Sequence, residues 1–170
     1  LITPAYCRAM AAYNSEMNRR LYRCAGALED AARRLDLGGF FNSLHGTLCH
    51  ILWGDRVWMH RFAGWERPSQ GIPESPRMIE DWTTLSAARA EDDARIEAWA
   101  AALSPRDLEG ELTWFSGAAR REMTKPRWLC VAHMFNHQTH HRGQAHAMLT
   151  RLGAAPGDTD LPWVIPDRAW

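Results

Sequence analysis

The sequence predicts an all-α fold: a four-helix bundle with a long crossover connection and a short irregular or hairpin insertion before the last helix. Three observations predict it. Apolar residues recur at steps of three and four through four long stretches, the spacing of an amphipathic helix and not of a strand. Helix start and stop signals bracket several of those stretches. Between the second and third, a segment rich in Gly, Pro and Ser is long enough to carry the chain across the molecule. The chain has 170 residues, enough to bury a sizeable core, and reads as one domain over residues 1–170.

The first helix starts at Thr3-Pro4, with Thr3 as N-cap and Pro4 at the first helical position. Tyr6, Met10, Tyr13, Met17, Leu21, Cys24 and Leu28 form its apolar stripe. It is expected to fray near Gly26, and Leu37-Gly38-Gly39 closes the segment. Asn14 and Asn18, four apart on the inner face, are expected to meet solvent or bridge helices; the alternative points them into a pocket, with Asn14 the pocket candidate.

The second helix is expected from about Phe40 to Ala63, with Leu44, Leu48, Ile51, Leu52, Met59 and Phe62 inward. Asp55 falls in the middle of that stripe. A lone carboxylate in a core is costly, so Asp55 needs a partner. His45 and His50 lie on opposite margins, and periodicity does not choose between them. Gly54, one turn beyond His50, leaves room beside the His50 ring.

Residues Gly64 to Pro76 make the crossover. The third helix is expected from about Ile79 to Leu103 through Trp82, Leu85, Ile96 and Trp99, with the charged run Arg89 to Arg95 as a solvated face. Ser104-Pro105 opens a short turn. Glu111 to Thr124 alternates weakly around Ser116-Gly117 and reads as a small hairpin or an irregular loop. Pro126 opens the last long helix, and Gly153 ends it. The tail from Pro156 to Trp170 is expected to be extended and to pack back on the helices.

Composition excludes several classes of function. Twenty basic residues balance twenty acidic ones, so there is no excess charge to neutralise phosphates, and nucleic-acid binding is not expected. No run of ~18 apolar residues offers a membrane span. No basic-then-apolar leader pattern is visible at the start. Cys7, Cys24, Cys49 and Cys130 are scattered without a CxxC pair, which reads as reduced thiols and a cytoplasmic setting. Most of the nine tryptophans are expected to pack the core, with those near Trp53 lining an apolar pocket.

Chemistry concentrates in HMFNHQTHHRGQ, residues 133 to 144. Cys130, Met134, Met148, Leu149 and Leu152 define the inward stripe of this helix. His137 and His141 fall inside it, one turn apart, and a pair so spaced can hold one divalent metal. His133, His140 and Gln144 lie along one edge. A third histidine from a facing helix would complete a facial site with open positions for water or substrate. The pattern is not HExxH, because Gln138 follows His137 and supplies no glutamate base. Arg142 lies on the far margin of the stripe. Two roles are open for Asp55: an ion pair with Arg142, or acceptance of a hydrogen bond from a ligand histidine.

Three stretches taken together resemble a known family: HGTLCHILWGDRVWMHRF at 45 to 62, HMFNHQTHHRGQAHAMLTRLG at 133 to 153, and DLPW at 160 to 163. With YNSEMNRRL at 13 to 21, they resemble the DinB-like proteins, four-helix bundles related to bacillithiol- and mycothiol-dependent transferases. The resemblance implies a three-histidine metal site in which His50 joins His137 and His141. It implies Zn²⁺ or Ni²⁺ as the metal, water in the open positions, and a homodimer.

Two functions follow as expectations. One is a metal-dependent enzyme, a thiol transferase or hydrolase acting on a low-molecular-weight thiol or another small molecule. Its metal would bring bound water or thiol to about neutral acidity, and His133 and His140 are the candidate bases. The other is a non-catalytic metal-binding protein of stress response or small-molecule sensing.

Overall fold

Capping chemistry sets where the long helices begin. In the computed structural model, which describes residues 1–165, Thr3 Oγ1 accepts from Tyr6 N at 3.1 Å and starts α1 (Pro4–Gly26). After a single short helix, α2 (Asp30–Arg34), Ser43 Oγ accepts from Gly46 N at 3.1 Å and starts α3 (Leu44–Ala63). The expected start of α3 at Phe40 is therefore four residues early. Asn42 takes a left-handed φ of 61° and pairs with Gly39 in a tight turn, so Phe40 and Phe41 sit before the helix.

Asp81 caps α4 (Trp82–Ala102) through Thr84 N, a few residues later than the apolar pattern suggests. The connection from α3 to α4 contains one 3-10 turn at Ser75–Arg77. A second such turn at Pro105–Leu108 leads into the insertion. The insertion is a hairpin: β1 (Glu111–Ser116) and β2 (Arg121–Pro126) pair antiparallel, Trp114 opposite Met123. Pro126 then opens α5 (Arg127–Arg151), and Gly153 follows it with a φ of 80°.

The chain is mostly helical. Helix α1 packs on α4 and α5, and α3 packs on α5 and α4, so the four long helices meet in a ring. One apolar cluster gathers Leu21, Leu48, Leu52, Leu85 and Leu149 at one end. A second gathers Cys7, Met59, Ile96, Met134 and Phe135 at the other. The tail does pack back: Tyr13 donates to Thr159 O at 2.6 Å, and Val164 and Ile165 cover Tyr13 and Met17. It is not wholly extended, since Leu161–Val164 forms α6. Its last residues, 166–170, lie outside the described part.

The charged run of α4 corrects the expectation of a solvated face. Arg89, Asp92 and Asp93 are buried, with Arg89 only 2% exposed. They share the face of Leu85, Ile96 and Ala100, which are also buried. Arg89 Nη1 donates to Asp55 Oδ2 at 2.6 Å and Nη2 lies 2.9 Å from Asp93 Oδ1. Asn18 donates to the same Asp93 oxygen at 2.9 Å, bridging α1 to α4. Among the described residues no tryptophan is fully buried, but Trp58, Trp65, Trp82, Trp99, Trp114 and Trp128 pack half-buried against the two apolar clusters. No helix of the described residues is long and apolar enough to cross a membrane.

Candidate metal centre

Helices α3 and α5 bring three histidines to one point. One donor nitrogen from each of His50, His137 and His141 lies within 4.8 Å of the other two. His50 Nε2 and His137 Nε2 are 3.1 Å apart. His137 and His141 stand edge to face with ring centroids 4.5 Å apart, as the one-turn spacing dictates.

Hydrogen bonds decide which ring nitrogens carry protons. Ser75 Oγ donates its only proton to Ile72 O at 2.7 Å. It must therefore accept from His50 Nδ1, 2.7 Å away. That puts the His50 proton on Nδ1 and leaves a lone pair on Nε2, facing His137. His141 Nδ1 lies 2.8 Å from Gln144 Oε1, an acceptor, so Nδ1 donates and Nε2 again keeps its lone pair. His137 Nδ1 is buried without a partner among the described residues.

The rings are also held sterically. Phe41 stacks on His50 with centroids 3.8 Å apart, and Trp53 stacks near the same ring at 5.3 Å. Gly54 leaves room as expected, but for a different ring. A Cβ there would stand 2.6 Å from His137 Cε1. Burial and the neighbouring histidines push His50 and His137 down to about 3, and burial also lowers His141. All three are neutral at physiological pH, the form that ligates.

These donors suit a divalent cation. With metal–nitrogen bonds of ~2.0–2.1 Å, tetrahedral ligands stand ~3.3 Å apart, close to the separation of the His50 and His137 nitrogens. Each of His50 and His141 spends its outer nitrogen on an oxygen acceptor, the usual support of a metal-bound imidazole. His45 takes no part: it is buried, its Nε2 2.9 Å from Ile79 O.

The centre opens on a cavity of about 860 Å³ whose wall includes Trp53, Trp58, Trp114, Phe115 and Met123. That size is in the range of small-molecule sites. His133 and His140 line it too and are exposed at the surface. His133 stands edge-on to Trp58 at 5.1 Å and lies 5.9 Å from His137.

A model of the DinB family matches residues 3–168. The chain belongs to the DinB family. No curated protein matches it, so the family assignment rests on that model and the activity on the site.

Of the other expected site residues of this DinB protein, Asp55, Arg142 and Asn14 do not line the cavity. Asp55 neither pairs with Arg142 nor accepts from a ligand histidine. Its partners are Arg89 and Gln138, whose Nε2 donates to Asp55 Oδ1 at 2.6 Å. Gln138 stands between Asp55 and Arg142, which donates to Gln138 Oε1 at 3.4 Å and to Thr139 Oγ1 at 3.2 Å. The physical reason is reach: Arg89 on the facing helix satisfies the carboxylate directly. Complete burial raises the Asp55 carboxyl above the usual range, and Arg89 pulls it back. Asn14 is buried in α1; among the described residues neither of its amide atoms has a hydrogen-bond partner, and it does not line the cavity. Trp53 does line it, its indole N–H donating to Gln70 O at 2.9 Å.

Sequence reasoning missed Ser75, Gln138 and Arg89. Ser75 sits in an aperiodic Gly/Pro/Ser stretch that carries no signal for its role. Arg89 had one: its spacing from Leu85, Asp93 and Ile96 places it on the apolar face of α4.

Proposed function

We propose that this protein is a divalent-metal-dependent enzyme, with Zn²⁺ or Ni²⁺ held by His50, His137 and His141 and a small organic molecule, such as a low-molecular-weight thiol, in the adjoining cavity. Thiol transfer to an electrophile, or hydrolysis, is the reaction class. One observation carries the reading. Three neutral imidazoles converge at the wall of an apolar cavity, two with their lone pairs directed by outer hydrogen bonds. When bound, a divalent cation there acidifies the water or thiol it holds. The chain's own residues do the rest. Ser75 and Gln144 orient the ligand rings, Phe41 and Trp53 keep water from them, and the tryptophan wall packs the apolar part of the substrate. His133 and His140, on the same wall, are the candidates to take a proton.

In this reading the four long helices form a four-helix bundle as one domain, acting in the cytoplasm. The homodimer rests on the resemblance of the sequence motifs alone. The test is elemental analysis of purified protein, then conjugation of low-molecular-weight thiols to a chromogenic electrophile and hydrolysis of chromogenic esters. Wild type is expected to carry about one metal per chain and to turn over only when loaded; His137→Ala is expected to lose both. A wild type that holds no metal overturns the reading.

A second reading has its own observation. Among the described residues no carboxylate lines the cavity, so none of them offers an acidic base beside the centre. Metal bound without turnover across thiols and esters would favour a non-catalytic sensor of small molecules or stress.

A further inference from the structure

The charge of the cavity wall is one-sided. The chain has as many acidic as basic residues, yet among the described residues no Asp or Glu lines this cavity while Arg61, Arg67 and Lys125 do. Among the described residues none of these three makes an ion pair. Of the three, Arg67 and Lys125 are exposed and Arg61 is half-buried, and a half-buried unpaired cation is costly to keep unless something compensates it.

Arg61 is the most confined of the three. Its guanidinium lies 4.4 Å from the Trp58 ring centroid and 5.4 Å from that of Trp114, which are themselves edge to face at 5.5 Å. Cation–π contact with two indoles fixes the plane of the group and leaves its N–H fork for an oxyanion. The same Trp58 carries His133, next to His137 of the centre. The apolar wall, the cations and the histidines thus face one space.

We infer that the cavity takes an amphipathic organic anion, its apolar or aromatic body on the tryptophan wall and its carboxylate, sulfonate or phosphate on Arg61 and Lys125. The inference names the substrate class of the site proposed above and rests on that reading for its place beside the metal. Its physical basis is separate: the side chains that bring positive charge to the wall are Arg61, Arg67 and Lys125, none of which belongs to the histidine cluster.

The test is calorimetric titration at pH 7.5 with three probes of one shape: a naphthalene sulfonate, the neutral naphthalene methanol and a naphthyl trimethylammonium. Each is titrated into metal-loaded wild type, chelator-treated wild type, Arg61→Gln and Lys125→Gln. The anion is expected to bind ~10-fold tighter than the neutral probe, the factor that one charge-assisted hydrogen bond of ~1.4 kcal/mol supplies. The cation is expected to bind weakest. Arg61→Gln and Lys125→Gln should each erode the preference with metal content unchanged, and metal removal should leave it in place. Lys125 is exposed on β2, so its variant answers even if the arginine variant fails to fold. Equal binding of anion and neutral probe overturns the inference. So does a preference that vanishes with the metal and ignores both substitutions, since the anion would then sit on the metal. A wild type without metal that still prefers the anion would remove the metal reading and leave this one standing.

Discussion

Ser75 is a small residue with a large consequence for His50. Its hydroxyl has one proton, spent on Ile72 O, and that alone makes it an acceptor toward the imidazole. Ser75→Ala should therefore free the His50 ring to rotate and to change tautomer. Metal affinity is expected to fall ~10- to 100-fold, the usual effect of losing a ligand's supporting hydrogen bond, while the helical circular dichroism stays unchanged. Competition with a chromogenic chelator measures it; unchanged affinity would mean the ring is held by Phe41 and Trp53 alone. Gly54 poses the opposite case. Alanine is the better helix former by ~1 kcal/mol, but its Cβ would press on His137 Cε1. Gly54→Ala should lower metal affinity without a matching loss of metal-free stability, as chelator competition and urea melts would separate.

At the scale of elements, the charged face of α4 ties the helices together. Arg89 meets Asp55 of α3 and Asp93 of its own helix, and Asn18 of α1 joins at Asp93. Removing one partner leaves buried charge unpaired. Arg89→Met is expected to cost ~3–5 kcal/mol in a urea melt, with metal affinity of the folded fraction little changed. A cost below ~1 kcal/mol, the worth of an exposed pair, would return α4 to the solvated face that its composition suggests. The same helix shows what a sequence makes legible. The four long helices, the caps at Thr3 and Pro126 and the inward turn of His137 and His141 all follow from local spacing. The need of Asp55 for a partner follows too, because burial follows from the stripe. Which partner does not, since Arg89 and Arg142 both fit and only packing across helices decides. Ser75 is harder still: its role depends on where an aperiodic connection returns to α3, and no local pattern encodes that. Choosing His50 over His45 came from resemblance; the structure then places His50 with the pair and turns His45 to Ile79 O.

For the whole molecule, the histidine cluster makes metal-free stability depend on pH. In an unfolded chain a histidine titrates near ~6.5, whereas burial holds His50 and His137 at about 3 in the fold. As pH falls the unfolded state takes up protons first. The stabilisation is therefore full above ~6.5 and is lost progressively toward about 3, at up to ~1.4 kcal/mol per pH unit for each histidine. Urea midpoints of chelator-treated protein at pH 7 and pH 5 should fall more in wild type than in the His50→Gln, His137→Gln double variant; equal slopes would sink the claim. The connection between α3 and α4 gives a last consequence. Gly71 and Ile72 form part of the cavity wall, and Ile72 O is the acceptor that sets the Ser75 proton. One segment thus touches both the organic molecule and the orientation of a metal ligand. Thermodynamic linkage then demands reciprocity: whatever factor an occupied cavity imposes on metal affinity, the metal imposes on the occupant.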